Sequence, residues 1–329
     1  MKDLPDTMRI VEMDGAGGPE VLSPGSRETV HPGPGEVLIR VVAAGINGPD
    51  MVQRRGHYPP PKGASDLLGL EVSGQVVGLG AGVQGWAPGD MVCGLTNGGG
   101  YAEYVAVRAD HCLPIPEGVS VIDAAGLPET FFTVWSNVFL DQALPEGGRF
   151  LVHGGSGGIG STAIQLGTAM GLEVFTTVEA GEATDFATSL GAARCIDFRN
   201  EDFVAICREA GGVDVILDII GGDYVARNIK AARHDARIVQ LAFNAGSKVE
   251  IDLMPVMLKR ISYTGSTLRS RPDAFKARVA ASLRAEVWPL FASGALRPVT
   301  HAVLPLDQAG EGHRMMEAAG HLGKILLTP

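Results

Sequence analysis

An apolar run, Phe150-Leu151-Val152, leads directly into Gly155-Ser156-Gly157-Gly158-Ile159-Gly160, and this opens the amphipathic stretch Ser161–Met170. In a chain with 45 glycines the pattern G-x-G-x-x-G is weak by itself. Its place between a strand and a helix makes it specific. The first glycine allows a tight turn, the second lets a pyrophosphate approach the backbone, and the third lets the helix pack on the strand. The exposed N–H groups and the helix dipole then face the phosphates. Residues Gly155, Ser156, Gly157, Gly158, Ile159 and Gly160 are therefore expected to bind a dinucleotide; the alternative is a ligand-free glycine turn.

Helix and strand alternate from there. Strands are expected at 172–178, 193–196, 213–219, 237–242 and 261–266, which implies a doubly wound parallel sheet of α/β class. The first of these strands runs into Val178-Glu179. An acid about 20 residues past the loop accepts hydrogen bonds from the adenosine ribose and repels a 2′-phosphate. The alternative for Glu179 is a solvated loop acid. The first third reads differently: short β-prone runs at 37–43, 72–79, 90–94 and 101–107 are broken by Gly/Pro clusters at 31–36 and 86–90, the pattern of a small barrel or sandwich. A helix from about 275 to Trp288 and strands at 299–304 and 324–327 follow. The expected organisation is a catalytic domain at 1–123, a dinucleotide-binding domain at 124–268, and a return to the first domain at 269–329.

Composition excludes other classes. A net charge of −10 without a long basic run argues against tracking nucleic-acid phosphates. Four cysteines with no C-x-x-C pair build neither a disulfide framework nor a cysteine zinc cage, and fit reduced thiols in the cytoplasm. No apolar run reaches the ~18 residues of a membrane span, so no membrane partner is expected.

Several further segments carry a resemblance over nearly the whole length: AAGINGPDMVQRRGHYPPP at 43–61, LGLEVSGQVVGLGAGV at 68–83, GGGYAEYVAV at 98–107, AAGLPETFFTVWSNVF at 124–139, VHGGSGGIGSTAIQLG at 152–167, TGSTLRSR at 264–271 and HLGKILL at 321–327. In this order they resemble the zinc-independent quinone oxidoreductases of the medium-chain dehydrogenase/reductase superfamily, the zeta-crystallin-like group, and within it the p53-inducible quinone oxidoreductase-like proteins. The resemblance implies a GroES-like catalytic domain joined to a Rossmann domain. It also implies hydride transfer to a quinone or α,β-unsaturated carbonyl, NADPH as the usual donor, and a homodimer paired through the edge strand Ile261–Gly265.

By the same resemblance Asn47 lies beside the nicotinamide ribose and Tyr58 near the quinone, and these two are the expected catalytic residues. A phenol there stacks on a planar substrate and donates to developing oxyanion charge. A turn asparagine and an aromatic packed over a proline turn are the plainer readings. Thr133, Leu241, Ala242, Phe243, Ser266, Thr267, Leu268, Gly323 and Lys324 match cofactor-contacting segments; the alternatives are a threonine bonded to its own helix backbone and, for the others, ordinary strand-end structure. Asp50 and Glu71 are candidate acids, but the residues single out no proton donor. The histidines other than His153 read as surface or turn residues, and His153 as a local packing or hydrogen-bonding residue.

The chain departs from the group in two respects. Where the group carries Ser, Lys and Tyr for the 2′-phosphate, this chain has Ala180, Ala183 and Phe198, with Glu179 added, so the expectation for NAD(P)H leans to NADH; Arg194 and Arg199 are the remaining groups able to reach a phosphate. Against the zinc-dependent relatives, Asn47 stands at the cysteine position and Leu70 at the histidine of Gly-His-Glu, groups that do not hold zinc. The competing readings are an enoyl-thioester or alkenal reductase, and a cofactor-binding structural protein without turnover.

Overall fold

The computed structural model describes residues 4–329. Its strands are β1 (Thr7–Met13), β2 (Leu22–Glu28), β3 (Glu36–Gly45), β4 (Glu71–Leu79), β5 (Met91–Leu95), β6 (Tyr104–Arg108) and β7 (Cys112–Pro114) in the first part of the chain. There follow β8 (Arg149–His153), β9 (Glu173–Val178), β10 (Arg194–Asp197), β11 (Val213–Asp218), β12 (Ala232–Gln240) and β13 (Ser262–Gly265). The last two are β14 (Thr300–Pro305) and β15 (Lys324–Thr328).

The chain forms two units. One comprises the segment through Phe132 together with Arg269–Pro329, and the other is Thr133–Leu268. The first is the GroES-like unit. Its large sheet runs β14-β15-β3-β4-β5-β7, with β6 also on β3. β15 lies antiparallel to β3, Leu326 opposite Gly45 and Leu327 opposite Ala44, which stitches the tail to the chain's first third. The core within is aliphatic: Val37, Ile39, Val72, Val76, Val92, Ile325 and Leu327 are all buried.

The sequence reading missed β1 and β2, which form a separate antiparallel ribbon. The segment Leu-Ser-Pro-Gly-Ser-Arg-Glu of β2 has no apolar alternation. It stays extended through its pairing with β1, and a strand with one partner tolerates Pro24 because that residue need not donate to a ladder.

The second unit is the Rossmann unit. Its sheet has the order β10-β9-β8-β11-β12-β13, and every neighbouring pair is parallel. Successive strands move outward from β8 in one direction, and the chain then resumes at β11 on the other side. β8 therefore borders the point where the order reverses, the place where open α/β sheets bind ligands. Helices cover both faces of such a sheet, so its central strands are apolar without alternation. Phe150, Leu151 and Val152 on β8 and Ile216 and Leu217 on β11 are fully buried accordingly.

The helix Gly158–Ala169 returns along this sheet. A Cβ at Gly160 would overlap the Gly154 carbonyl oxygen and lie 2.6 Å from Gly155 Cα. One at Gly155 would overlap Thr176 Oγ1 on β9. These two glycines are demanded by packing. Gly157 is different, since a Cβ there would meet nothing within 4 Å. Among the described residues no helix is long and apolar enough to cross a membrane.

Because the neighbours of Gly160 are backbone, they yield only by moving the loop. Gly160→Ala is expected to destabilise the protein by about 1–3 kcal/mol, read as a lowered urea midpoint with an unchanged slope. A midpoint equal to wild type would show that the helix does not press on the loop in this way.

Candidate functional site

On the Rossmann unit the glycine loop leaves β8 and the helix begins at Gly158, with Gly157 as its N-cap. Gly154 and Gly155 both donate their N–H to the Thr177 carbonyl at 3.1 Å, which fastens the loop to β9. The open space beside Gly157, next to a helix N-terminus, is the cradle a pyrophosphate requires. Glu179 follows β9 directly. Leu241, Ala242 and Phe243 follow β12, which ends at Gln240 rather than at the expected residue 242. Ser266, Thr267 and Leu268 follow β13. The loop, Glu179 and these two triplets thus lie past the C-terminal ends of four strands of one sheet, the rim where this architecture binds ligands. Thr133 is buried near the end of the helix Pro128–Val134.

The two arginines left for a 2′-phosphate are both occupied. Arg194 is paired with Glu201 and donates to the Cys195 carbonyl at 2.7 Å. Arg199 is paired with Glu179 itself at 2.8 Å. Both side chains of that second pair are more than half exposed, so it contributes little to stability.

His153 is buried and joins three elements. Asn228 donates through Nδ2 to Asp218 Oδ2 at 2.8 Å, so its Oδ1 faces the imidazole and accepts from His153 Nε2 at 2.8 Å. His153 Nδ1 then accepts from the Thr177 hydroxyl at 3.1 Å. This residue ties β8 to β9 and to the helix Tyr224–Ala231, as expected of a packing histidine.

On the GroES-like unit the structure brings Asn47, Glu71 and Lys324 into one buried cluster. Lys324 begins β15, Glu71 begins β4, and Asn47 precedes the helix Gly48–Arg54. The Lys324 ammonium donates to Glu71 Oε1 at 2.7 Å, Asn47 Oδ1 at 2.5 Å and the Ile46 carbonyl at 3.1 Å. An ammonium has three hydrogens, and all three have acceptors. Glu71 Oε1 also accepts from Asn47 Nδ2 at 2.8 Å, and Oε2 accepts from the Glu129 backbone N–H at 2.8 Å.

Asp50 lies one helical turn beyond Asn47. It accepts from the N–H of Asn47 at 2.9 Å, from that of Gly69 at 3.0 Å and from the Tyr101 hydroxyl at 3.3 Å. Burial pushes its carboxyl up to about 6 despite these donors. Behind Tyr101 stands His313, at 3.0 Å through Nε2, whose Nδ1 takes a hydrogen from Arg54 at 3.1 Å. Arg54 is paired in turn with Glu317. Arginine only donates, so Nδ1 is the acceptor and Nε2 carries the proton. Burial pushes His313 down to about 3, which keeps it neutral. His313 and His111 are both buried, which corrects the expectation that they lie at the surface or in turns. That reading lacked the tertiary partners: each histidine borders a segment that looks like an ordinary helix or turn.

Tyr58 is half-buried and makes no direct link to Asn47; it lies against the Arg269 guanidinium, 5.5 Å from the ring centroid. Arg269 donates to Gln53 Oε1 at 2.6 Å and, through Nε, to the Asn97 carbonyl at 2.9 Å. Lys276 donates to Asn97 Oδ1 at 2.8 Å and to the Arg269 carbonyl at 2.9 Å. Burial raises the Tyr58 phenol above its ordinary range; the charge of Glu129 adds to this and Arg269 opposes it. Glu129 itself is pushed up to about 8, first by burial and then by the charge of Glu71. The N-terminal end of its short helix favours the carboxylate by roughly 0.3–1 kcal/mol, less than one pKa unit, too little to restore an ordinary acid. Glu129, Arg269 and Lys276 escaped the sequence reading, because an acid early in a helix and two scattered cations carry no signal of their own.

The zinc site of the zinc-dependent relatives does not fit these residues. Asn47 and Leu70 hold the cysteine and histidine positions, Leu70 is buried, and a lysine ammonium already sits on Asn47. A dinucleotide does fit, because the space beside Gly157 is open and a helix starts there.

Comparison with known proteins agrees with this geometry. Residues 33–117 match the alcohol dehydrogenase GroES-like domain and residues 158–284 match the zinc-binding dehydrogenase family. Human quinone oxidoreductase is 30% identical over 329 aligned residues, covering 97% of either chain. A polyketide synthase of Streptomyces halstedii is 30% identical over 300 residues, 89% of this chain but only 5% of that much longer protein. The solved structure of Escherichia coli quinone oxidoreductase complexed with NADPH is 27% identical and matches with a TM-score of 0.87 over 98% of this chain and all of that one. On the strength of the full-length identity and the shared two-unit fold, the chain belongs to the quinone oxidoreductase family of the medium-chain dehydrogenase/reductase superfamily.

Proposed function

We propose that the chain is an NAD(P)H-dependent reductase that adds a hydride to a quinone or an α,β-unsaturated carbonyl without a metal ion. The observation that carries this reading is the Lys324 ammonium, buried and saturated by Asn47, Glu71 and the Ile46 carbonyl. A cation that spends every hydrogen on protein acceptors polarises no substrate carbonyl. Reduction of a simple ketone is hard without a Lewis acid, whereas quinones and enones accept hydride readily. The bound reduced nicotinamide supplies that hydride. On the Rossmann unit Gly155–Gly160 cradle the pyrophosphate, Glu179 takes the adenosine ribose, and Thr133, Leu241–Phe243 and Ser266–Leu268 line the rest of the cofactor. On the GroES-like unit Asn47 lies beside the nicotinamide ribose, Gly323 and Lys324 form the segment on the nicotinamide side, with Lys324 holding Asn47 in place, and Tyr58 stacks on the substrate. The match to part of a polyketide synthase favours a second reading, reduction of an enoyl thioester on the same scaffold. Oxidation of NADH and NADPH by 9,10-phenanthrenequinone, 2-alkenals and an enoyl thioester tests both; no turnover with any of them would refute both.

Metal independence has its own test. Elemental analysis is expected to find zinc far below one equivalent, with activity unchanged by a chelator. Stoichiometric zinc together with loss of activity on chelation would overturn the reading of Asn47 and Leu70.

For the cofactor, NADH is expected to bind at least as tightly as NADPH. Ala180, Ala183 and Phe198 offer a 2′-phosphate no donors, and Glu179 repels it. Charge-assisted hydrogen bonds contribute roughly 1.5–3 kcal/mol each, so two absent partners outweigh a modest preference. Because the Glu179–Arg199 pair is exposed, the bias is small in wild type. Glu179→Gly combined with Ala180→Ser and Ala183→Lys should shift the ratio of dissociation constants at least about tenfold towards NADPH. If wild type binds NADPH tenfold tighter than NADH, Glu179 does not set the choice and Arg199 becomes the phosphate contact.

The edge of the Rossmann sheet carries the third proposal, a homodimer. All four residues of β13 are exposed, and β13 has β12 on one side only. Leu253, Met254, Met257 and Leu258, at and within the short helix Met254–Lys259 that precedes it in the chain, are 61%, 55%, 65% and 62% exposed. An edge strand with one free side and exposed apolar residues close by in the chain support pairing between two copies. Light scattering should give twice 34.4 kDa for wild type, and Met257→Asp with Leu258→Lys should give the monomer. A wild-type monomer at micromolar concentration would exclude this pairing.

A further inference from the structure

The acids of the GroES-like unit differ in what remains of them for chemistry. Glu71 spends Oε1 on Asn47 and Lys324, and Oε2 on the Glu129 backbone. Asp50 spends both oxygens on two backbone N–H groups and Tyr101. The Glu129 carboxyl, in the first turn of the helix Pro128–Val134, has no hydrogen-bond or ion-pair partner among the described residues, and it is only half-buried. The charged and titratable groups around it are Glu71 on β4, Lys324 on β15, Asp50 on the helix Gly48–Arg54 and Lys276 on the helix Asp273–Ser282. Tyr58 and Arg269, from the segments beside them, complete the set. The ammonium of Lys324 is tied to Glu71 and Asn47, and that of Lys276 to Asn97 and the Arg269 carbonyl, so neither cation pairs with Glu129. A carboxyl without a counter-ion lies near enough to Tyr58, the aromatic side chain that the family resemblance assigns to the substrate, for its charge to raise the phenol.

We propose that Glu129 is the proton donor of the reduction and that its presence marks a substrate whose carbon–carbon double bond is reduced, an α,β-unsaturated carbonyl rather than a quinone. The inference rests on the reductase reading above and deepens it. In the step, the β-carbon of the substrate accepts the hydride supplied by the reduced nicotinamide dinucleotide, which is oxidised by two electrons. The π pair of the double bond shifts towards the carbonyl as an enolate. The α-carbon then takes the proton from Glu129, closing the C–H bond and leaving a carboxylate, and water returns the proton to Glu129 after release. A hydroquinone anion takes its proton on oxygen from water and needs no such group, whereas protonation of carbon is slow unless an acid is placed for it. Burial and the charge of Glu71 keep the carboxyl protonated at neutral pH, holding it up to about 8.

Two independent measurements test this. Infrared difference spectra of wild type against Glu129→Gln should show a protonated carboxyl band at pH 7 that titrates away near pH 8 and is missing from the variant. A spectrum without that band overturns the inference whatever the activity. With a 2-alkenal and the reduced cofactor, wild-type kcat/KM should fall about tenfold per pH unit above the same pH. Glu129→Gln should lose about 100-fold in kcat on the alkenal and lack the alkaline limb, with less than tenfold loss on 9,10-phenanthrenequinone. Glu129→Asp should restore the limb, and the dissociation constant of the reduced cofactor should stay within twofold throughout. Equal losses on the two substrates, or an alkenal rate unaffected in Glu129→Gln, overturn the donor role. Wild type that turns over neither substrate, with its band present, overturns the reductase reading instead.

Discussion

A buried ammonium is stable only where acceptors meet every hydrogen it carries, and the GroES-like unit is organised around one such group. Lys324 comes from the last strand of the chain, Glu71 from the start of β4, and Asn47 from the turn leaving β3. The three meet because β15 returns to lie antiparallel to β3. Leaving either charge of such a pair alone in the interior costs about 3–5 kcal/mol. The tail is thus held by more than its aliphatic faces: its first residue neutralises a carboxylate belonging to the first third of the chain. Gly45 follows from the same arrangement, since a Cβ there would overlap Glu71 Oε1.

That burial sets the chemistry of the neighbouring groups. An interior that makes the Lys324–Glu71 pair necessary also disfavours any further ionised group near it. Glu71 is compensated by the ammonium, yet its charge still reaches Glu129, whose carboxyl finds no cation of its own and is pushed up to about 8, first by burial and then by that charge. Asp50 is raised for the same first reason, but three donors hold it, so its rise is smaller. Among the described residues Glu71 and Asp50 have each found three donors and Glu129 none, and of the two raised acids the one without donors is raised further. The relay from Asp50 through Tyr101 and His313 to Arg54 is the structural counterpart. Every hydrogen in it has one direction, fixed at one end by an arginine that only donates and at the other by a carboxylate that accepts.

The architecture was legible in the sequence wherever local pattern and tertiary role coincide. The glycine loop is one such place: Gly155 and Gly160 are required by contacts within the strand–turn–helix unit that the pattern describes, and Gly157 is open where a ligand is expected. The parallel strands were legible because burial on both faces leaves uninterrupted apolar runs such as Phe150–Val152. What stayed hidden depends on partners distant in the chain. β2 has the composition of a loop and is extended only because β1 pairs with it. The direct contact of Asn47 with Lys324, the burial of His313 behind Tyr101, and the free carboxyl of Glu129 arise from the return of the tail to the first unit. The spacing of residues announces none of them. The family resemblance marked Lys324 as a position but did not supply its chemistry.

An ammonium and a metal ion in such a neighbourhood are not equivalent for reactivity. A zinc ion that keeps one coordination position open polarises whatever oxygen fills it. An ammonium has three hydrogens, and here the protein takes all of them, so the cation stabilises the fold and offers the substrate nothing directly. Activation must then come from the substrate's own conjugation and from groups that retain a hydrogen to give. The proposed candidates on this unit are the phenol of Tyr58, held above its ordinary pKa, and the carboxyl of Glu129, whose charge contributes to that rise. On the reading proposed above, the burden moves from polarising a carbonyl to supplying a proton after the hydride has arrived.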